Sequence, residues 1–489
     1  MKKNPFYKSV AGVLVLAALT GCTTTQEEYH YVNLSQVACT FQGENNQPLT
    51  VSVITAPAAW SAIPEASWVT AEKGEDGESL IISVADNTTE SQREARITVS
   101  AGEAEQQIRI RQLARDNEFA RFRRTDGFQY GGAMSSNGKY VGGFVTTIAP
   151  DDSFQCSPTI IDITTGQTYE FGPFPESLYG LHQTMCISNQ GLLFMTDAIN
   201  GGTVGIDING NIIIPQAPTG YKFRPTVYGV SADGTYWSGS GQDSRIEEGG
   251  NYRPLLWTDG VAQELPVPAK NYRNEDWFTG VIGRGISANG KVMYGTDWDN
   301  GNGGLVYWKD GKVDWVGKDV RKITPTVMER YDGTLYDYNL VDGMVYTPTL
   351  TPVSTSGRWI AGSFRTERSE DKREIKTTER PAFYNTETET TTIIEDYGEA
   401  VGMYATDEGI AFIGLGSVNI TSGRVYDLNT HTDLGTIQEW VYANYNIIMP
   451  EGYIKYISPD YQYVFGTSFD MGPFGARYIT WYIAPPIAK

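Results

Sequence analysis

The chain has 489 residues, a formal net charge of −20, three histidines and four cysteines. So acidic a sequence, with no basic block, excludes nucleic acid and anionic lipid surfaces as partners recognised by charge. A chain this long exceeds one hydrophobic core and implies two or more domains, and its scattered His and Cys supply no clustered donor set for a zinc site.

In chain order, residues 1–21 read as a secretory signal. Lys2, Lys3 and Lys8 give a positive start, and residues 10–19 form an apolar stretch too short to span a bilayer. The stretch ends in Leu19-Thr20-Gly21-Cys22, which resembles a bacterial lipobox. The resemblance implies acylation of Cys22 and outer-membrane lipid as the partner of that anchor. Residues 22–32 form a polar linker, and its acidic pair Glu27 and Glu28 resembles the export signal of Bacteroides-type surface lipoproteins. Display on the cell surface is the expectation, with the periplasmic face as the alternative.

Residues 33–114 alternate with period two, as half-buried strands do. Leu80-Ile-Ile-Ser-Val84, Ala95-Arg-Ile-Thr-Val99 and Ile108-Arg-Ile-Arg-Gln112 each put aliphatic residues on one face, with Gly- and Asn-containing turns between them. Short strands without helical periodicity predict a small immunoglobulin-like β-sandwich. Trp60-Ser-Ala-Ile-Pro-Glu-Ala-Ser-Trp68-Val69, with Arg93-Glu-Ala-Arg-Ile-Thr-Val99 and the closing Ile-Arg-Ile-Arg-Gln112, is similar to BACON domains, Bacteroidetes-associated modules named for carbohydrate binding. Trp60 and Trp68 are expected to pack against the sandwich rather than to form a sugar platform, which makes the module a spacer.

Residues 118–487 repeat. A Ser-x-x-Gly turn between two strands appears in Ala133-Met-Ser135-Ser-Asn-Gly138, Cys186-Ile-Ser188-Asn-Gln-Gly191, Gly229-Val-Ser231-Ala-Asp-Gly234, Gly285-Ile-Ser287-Ala-Asn-Gly290 and Pro352-Val-Ser354-Thr-Ser-Gly357. Tyr404-Ala-Thr406-Asp-Glu-Gly409 is weaker, and in Tyr456-Ile-Ser458-Pro-Asp-Tyr461 a tyrosine replaces the turn glycine. Markers about 54 residues apart predict a β-propeller of about seven four-stranded units, six with irregular extras being the alternative. The unit resembles the extracellular HAF-type repeat. The last unit lacks a strand, and residues 118–123 are expected to complete it and close the ring. The fold class is therefore all-β.

Strand alternation places the tight turns on one face and the long segments on the other. That loop face carries the candidate ligand-binding residues Tyr272, Asp276, Trp277, Trp298, Asp299 and Trp440. Aromatics with polar neighbours suit an extracellular glycan or glycoprotein, and equally a protein partner at the surface. The run from Asp297 to Gly304 resembles a calcium loop in placing oxygen atoms on alternate residues, but it lacks the later bidentate Glu and reads more simply as a turn. No cofactor motif and no catalytic pair stands out. A non-catalytic binding or scaffolding role is the reading, with a carbohydrate-active enzyme or an adhesin subunit as alternatives. Cys156 and Cys186 are left open between a disulfide and two buried thiols.

Overall fold

The computed structural model describes residues 30–485, apart from 42, 44–45, 90–92, 113–120, 126–127, 129–130, 149–152, 176–178, 247–250, 300–302, 348–352, 417–421, 450–451 and 473–474. Cys22, the signal segment and most of the linker lie outside the described residues.

The N-terminal module is a sandwich of two four-stranded sheets. One orders Tyr31–Leu34, Leu49–Ala56, Ser79–Val84 and Val69–Lys73; the other orders Ala38–Phe41, Ala104–Gln112, Arg93–Ala101 and Ser61–Pro64. The period-two residues Val51, Leu80, Ile82, Ile97, Val99, Ile108 and Ile110 meet between the sheets and are fully buried. Trp60 and Trp68 pack half-buried against this core. The Trp60 indole N–H donates to Gly77 O at 3.0 Å, and Lys73 and Arg93 stand over the two rings at 4.5 and 4.3 Å. Each ring thus has a cation already on its face.

Among the described residues, seven further antiparallel sheets follow in chain order, as a β-propeller requires. The repeat marker has a physical explanation. In the turn after the first strand, the buried serine Oγ accepts the backbone N–H five residues on: Ser135 from Tyr140 at 2.9 Å, Ser231 from Tyr236 at 2.9 Å and Ser287 from Val292 at 3.0 Å. The same hydroxyls donate to Asn137, Asp233 and Asn289, and the turn glycines (Gly290 has φ +73°) take the left-handed conformation. Tyr461 holds that conformation without being glycine, at φ 57°, and its hydroxyl donates to Thr406 Oγ1 of the preceding sheet at 2.9 Å.

Neighbouring turns are linked into a circle. Ser136 Oγ donates to Asn189, Asn189 N to Ala232 O, Ala232 N to Ala288 O, Asn289 Nδ2 to Ser356 O, and Ser356 Oγ to Asp407. Tyr461 joins the sixth sheet to the seventh, and the Tyr456 hydroxyl returns to Ser136 O at 2.8 Å.

The expected closing strand is present as Phe122–Arg124, paired antiparallel with Trp481 to Ile483 on the outer edge of the last sheet. Phe122 is buried and stacks on Trp481 at 5.5 Å. Two of the long segments are more regular than loops. Residues 319–352 contain a β-hairpin, Lys322–Glu329 with Leu335–Val345, which makes the fifth sheet five-stranded. A helix, Ile437–Tyr445, precedes the last sheet; a reciprocal capping box between Thr436 and Glu439 starts it, and Asn446 in the left-handed region ends it.

Candidate functional site

Segments of sheets one to four and seven, chiefly their first strands, and residues 353–355 of the fifth unit line a cavity of about 80 Å³. Backbones approach closely here: a Cβ on Gly229 would lie 2.9 Å from the Cα of Gly285 in the next sheet. First strands of the propeller sheets share an irregularity. The register skips one residue at Met185, Tyr228, Arg284, Met403 and Lys455, each three positions before its marker Ser or Thr. These are β-bulges, which re-aim a side chain out of the pleat. Met185, Tyr228 and Lys455 line the cavity directly, together with Cys186, Tyr294 and Tyr456.

Two of the five bulge residues are cations. Lys455 has no hydrogen bond or ion pair among the described residues, and the surrounding protein pulls its ammonium down to about 8 by desolvation. Arg284 is caged by three rings, Tyr346 at 5.0 Å, Tyr228 at 5.1 Å and Trp298 at 5.2 Å, and its buried Nε has no acceptor. Among the described residues no Asp or Glu lines the cavity. The Cys186 thiol is pushed well up by burial, and neither it nor Cys39 or Cys156 is in a disulfide, so the open question resolves to thiols. Neither Lys455 nor Arg284 was singled out from sequence. The available signal was their common offset from the marker residue, which becomes meaningful only once the bulge is seen.

The six residues expected on the loop face divide into two groups. Tyr272, Asp299 and Trp440 are 3, 0 and 7% exposed, so as ligand contacts they are corrected by burial. Tyr272 packs on Trp315 at 5.2 Å. Asp299 is a staple: its carboxylate accepts the backbone N–H groups of Phe278, Thr279 and Gly280 at 2.8, 2.6 and 2.9 Å and the Asn271 amide at 3.1 Å. Asp297 likewise accepts from Tyr272 N and Asp299 N, both at 2.7 Å, so these oxygens organise a turn, as the simpler reading held. Among the described residues no cluster suited to a metal ion occurs. Trp440 lies on the buried side of the helix with Ile437 and Val441 and meets Phe412 edge-on at 5.4 Å.

Trp277 is half-buried, stacked on Trp315 at 6.4 Å, with its indole N–H donating to Pro268 O at 2.8 Å. Asp276 is exposed and pairs with Lys270 at 2.7 Å. Trp298 is 46% exposed, and Phe278, on the same loop face, is 70% exposed. Because Asp299 holds the chain at 278–280 and Trp298 N donates to Gly280 O at 3.0 Å, these two rings stand on one locked segment.

A second anchor ties that segment to the five-stranded sheet. Arg273 forms a bidentate pair with Glu367, both bonds 2.7 Å, and donates to Asn339 O at 2.6 Å, while Glu367 also accepts from Val341 N at 3.0 Å. Both side chains are nearly buried, at 11 and 6% exposure.

Residues 58–113 match the BACON family, described as "Putative binding domain, N-terminal". No curated protein matches the chain. Solved structures similar in fold include the β-propeller domain of the Trilobed protease from Pyrococcus furiosus, at 11% identity over 72% of this chain and 95% of that one, with a TM-score of 0.40. A quinonprotein alcohol dehydrogenase-like protein from Bacteroides thetaiotaomicron is 9% identical over 74 and 94% of the two chains, TM-score 0.25. A DUF4623 family protein from Bacteroides eggerthii is 10% identical over 70 and 88%, TM-score 0.24. The chain thus carries a BACON match at residues 58–113, followed by a β-propeller.

Proposed function

We propose that this is a lipid-anchored cell-surface protein whose propeller binds an extracellular glycan or glycoprotein through its loop face, with the sandwich as spacer. The observation that carries the binding reading is the locked pair Phe278 and Trp298. Phe278 stands open, Trp298 keeps about half its surface open with Arg284 at one face, and the Asp299 staple fixes the backbone beneath them. A rigid ring loses little entropy on binding and can stack on the apolar face of a sugar. The anchor and surface position rest on Leu19-Thr20-Gly21-Cys22 and the acidic pair after it.

Glycan-array screening of the mature chain tests the binding reading, and W298A and F278A are expected to abolish any hit. Retention of the hit in both variants, or capture of a surface protein with no glycan hit at all, would replace this reading with an adhesin or complex-subunit role. For the anchor, a C22A chain is expected to lose fatty-acid labelling and membrane association.

A further inference from the structure

We propose that the central channel is a binding site for a small carboxylate, captured by Lys455 with Arg284. Lys455 and the cavity lining belong to the channel alone, while Arg284 shares Trp298 with the loop-face reading, so K455M and F278A are the variants that separate the two.

Three observations converge. Lys455 lines a cavity whose walls are otherwise built largely of apolar and aromatic side chains, among them Met134, Ile187, Tyr294 and Phe465, and among the described residues no acidic side chain lines it. An ammonium in such surroundings keeps its charge only at a cost unless an anion joins it. Secondly, the scaffold has no need of a cation at this position. The equivalent bulges of the second and sixth sheets carry Met185 and Met403, both buried, so a thioether fills the same place without penalty. Thirdly, a second cation lies next to that lining without itself lining the cavity: Arg284 precedes the lining Gly285 and packs on the lining Tyr228, and among the described residues it forms no ion pair. Rings that hold a guanidinium by its faces leave the in-plane N–H groups directed away from them, available to a planar, two-oxygen acceptor.

The space suits a small ligand. A volume of about 80 Å³ exceeds the ~10–15 Å³ that one water needs on this measure several-fold, which is room for an acetate-sized group. The acids nearest Tyr456 at the tight-turn end, Asp407 and Asp460, are engaged by Ser356 and Ser458 and do not line the cavity. The carboxylate could belong to a free acid or to the end of an acidic sugar, since both present the same group.

The mature chain is titrated with acetate and with glucuronate, against chloride at equal ionic strength, by calorimetry. In parallel, reductive methylation with formaldehyde and cyanoborohydride is followed at the Lys455 peptide by mass spectrometry. Binding is expected for the wild-type chain, with a loss of at least tenfold in K455M, partial loss in R284M and retention in K455R, whereas F278A leaves it unchanged. Carboxylate should slow methylation of Lys455 and leave exposed lysines unaffected, a readout that needs no variant. Preference for glucuronate over acetate identifies the sugar acid as the source; equal binding identifies the free acid. Equal binding by K455M and wild type, or methylation of Lys455 indifferent to carboxylate, overturns the proposal.

Discussion

Replacing Lys455 by methionine should make the protein more stable. In the fold its ammonium is pulled from the ordinary 10.5 to about 8, because the channel strips water from the charge and supplies no counter-ion. Each pH unit of such displacement is worth ~1.4 kcal/mol, so holding the ion in the channel costs roughly 3 kcal/mol at most, and somewhat less because the side chain keeps partial contact with solvent. The sign follows from proton binding. Between pH 8 and 10.5 the unfolded chain holds a proton at this lysine that the folded chain has released, so stability rises with pH across that window. Below pH 8 the penalty is present in full. Among the other titratable groups on the channel, Cys186, Tyr294 and Tyr456 are pushed upward by burial and stay neutral there. K455M should therefore gain ~1–3 kcal/mol at pH 7 in guanidinium unfolding followed by tryptophan fluorescence, in carboxylate-free buffer. The advantage should shrink towards zero by pH 10.5. A variant less stable than wild type at pH 7, or an advantage that does not change with pH, would refute the reasoning.

Three further outcomes test the framework. E367Q leaves the Arg273 guanidinium buried without its charge partner and should cost ~3–5 kcal/mol, whereas the double change R273M/E367M should recover most of that loss, as a double-mutant cycle in thermal unfolding will report. F122A removes the buried ring that stacks on Trp481 at the ring closure; ~3–5 kcal/mol is expected, with faster hydrogen exchange at residues 481–483. T436A deletes the helix cap and should cost ~1 kcal/mol, read by denaturant unfolding and by loss of exchange protection over residues 437–445.

Much of the architecture was legible because the signal is local and repeated. Ser-x-x-Gly recurs since one buried hydroxyl satisfies a backbone N–H of its own turn, and in units one, three, four and seven an Asx side chain as well, so substitution at that serine would open the turn. The closing strand could be inferred by counting strands, since a unit one strand short leaves an edge that something must cover. Trp440 is a different case. Thr436 and Glu439 already spelled a capping box, and reading it would have put a helix at 437 and turned Trp440 inward with Val441. Asp299 was misjudged because a carboxylate that staples backbone amides and one that meets a ligand look alike in sequence. Lys455 and Arg284 were hidden for a deeper reason: a bulge breaks the period-two rule by which inward and outward residues are told apart.

The closing strand has a mechanical consequence. The described part of the propeller begins with the outermost strand of the last sheet, so under the anchoring proposed above a pull from the N-terminal side would fall on the same three residues that fasten the ring. Load arriving from the N-terminal side is delivered first to Phe122–Arg124 and its pairing with residues 481–483, at the perimeter and away from the axis, which leaves the channel and the loop face clear of the line of tension.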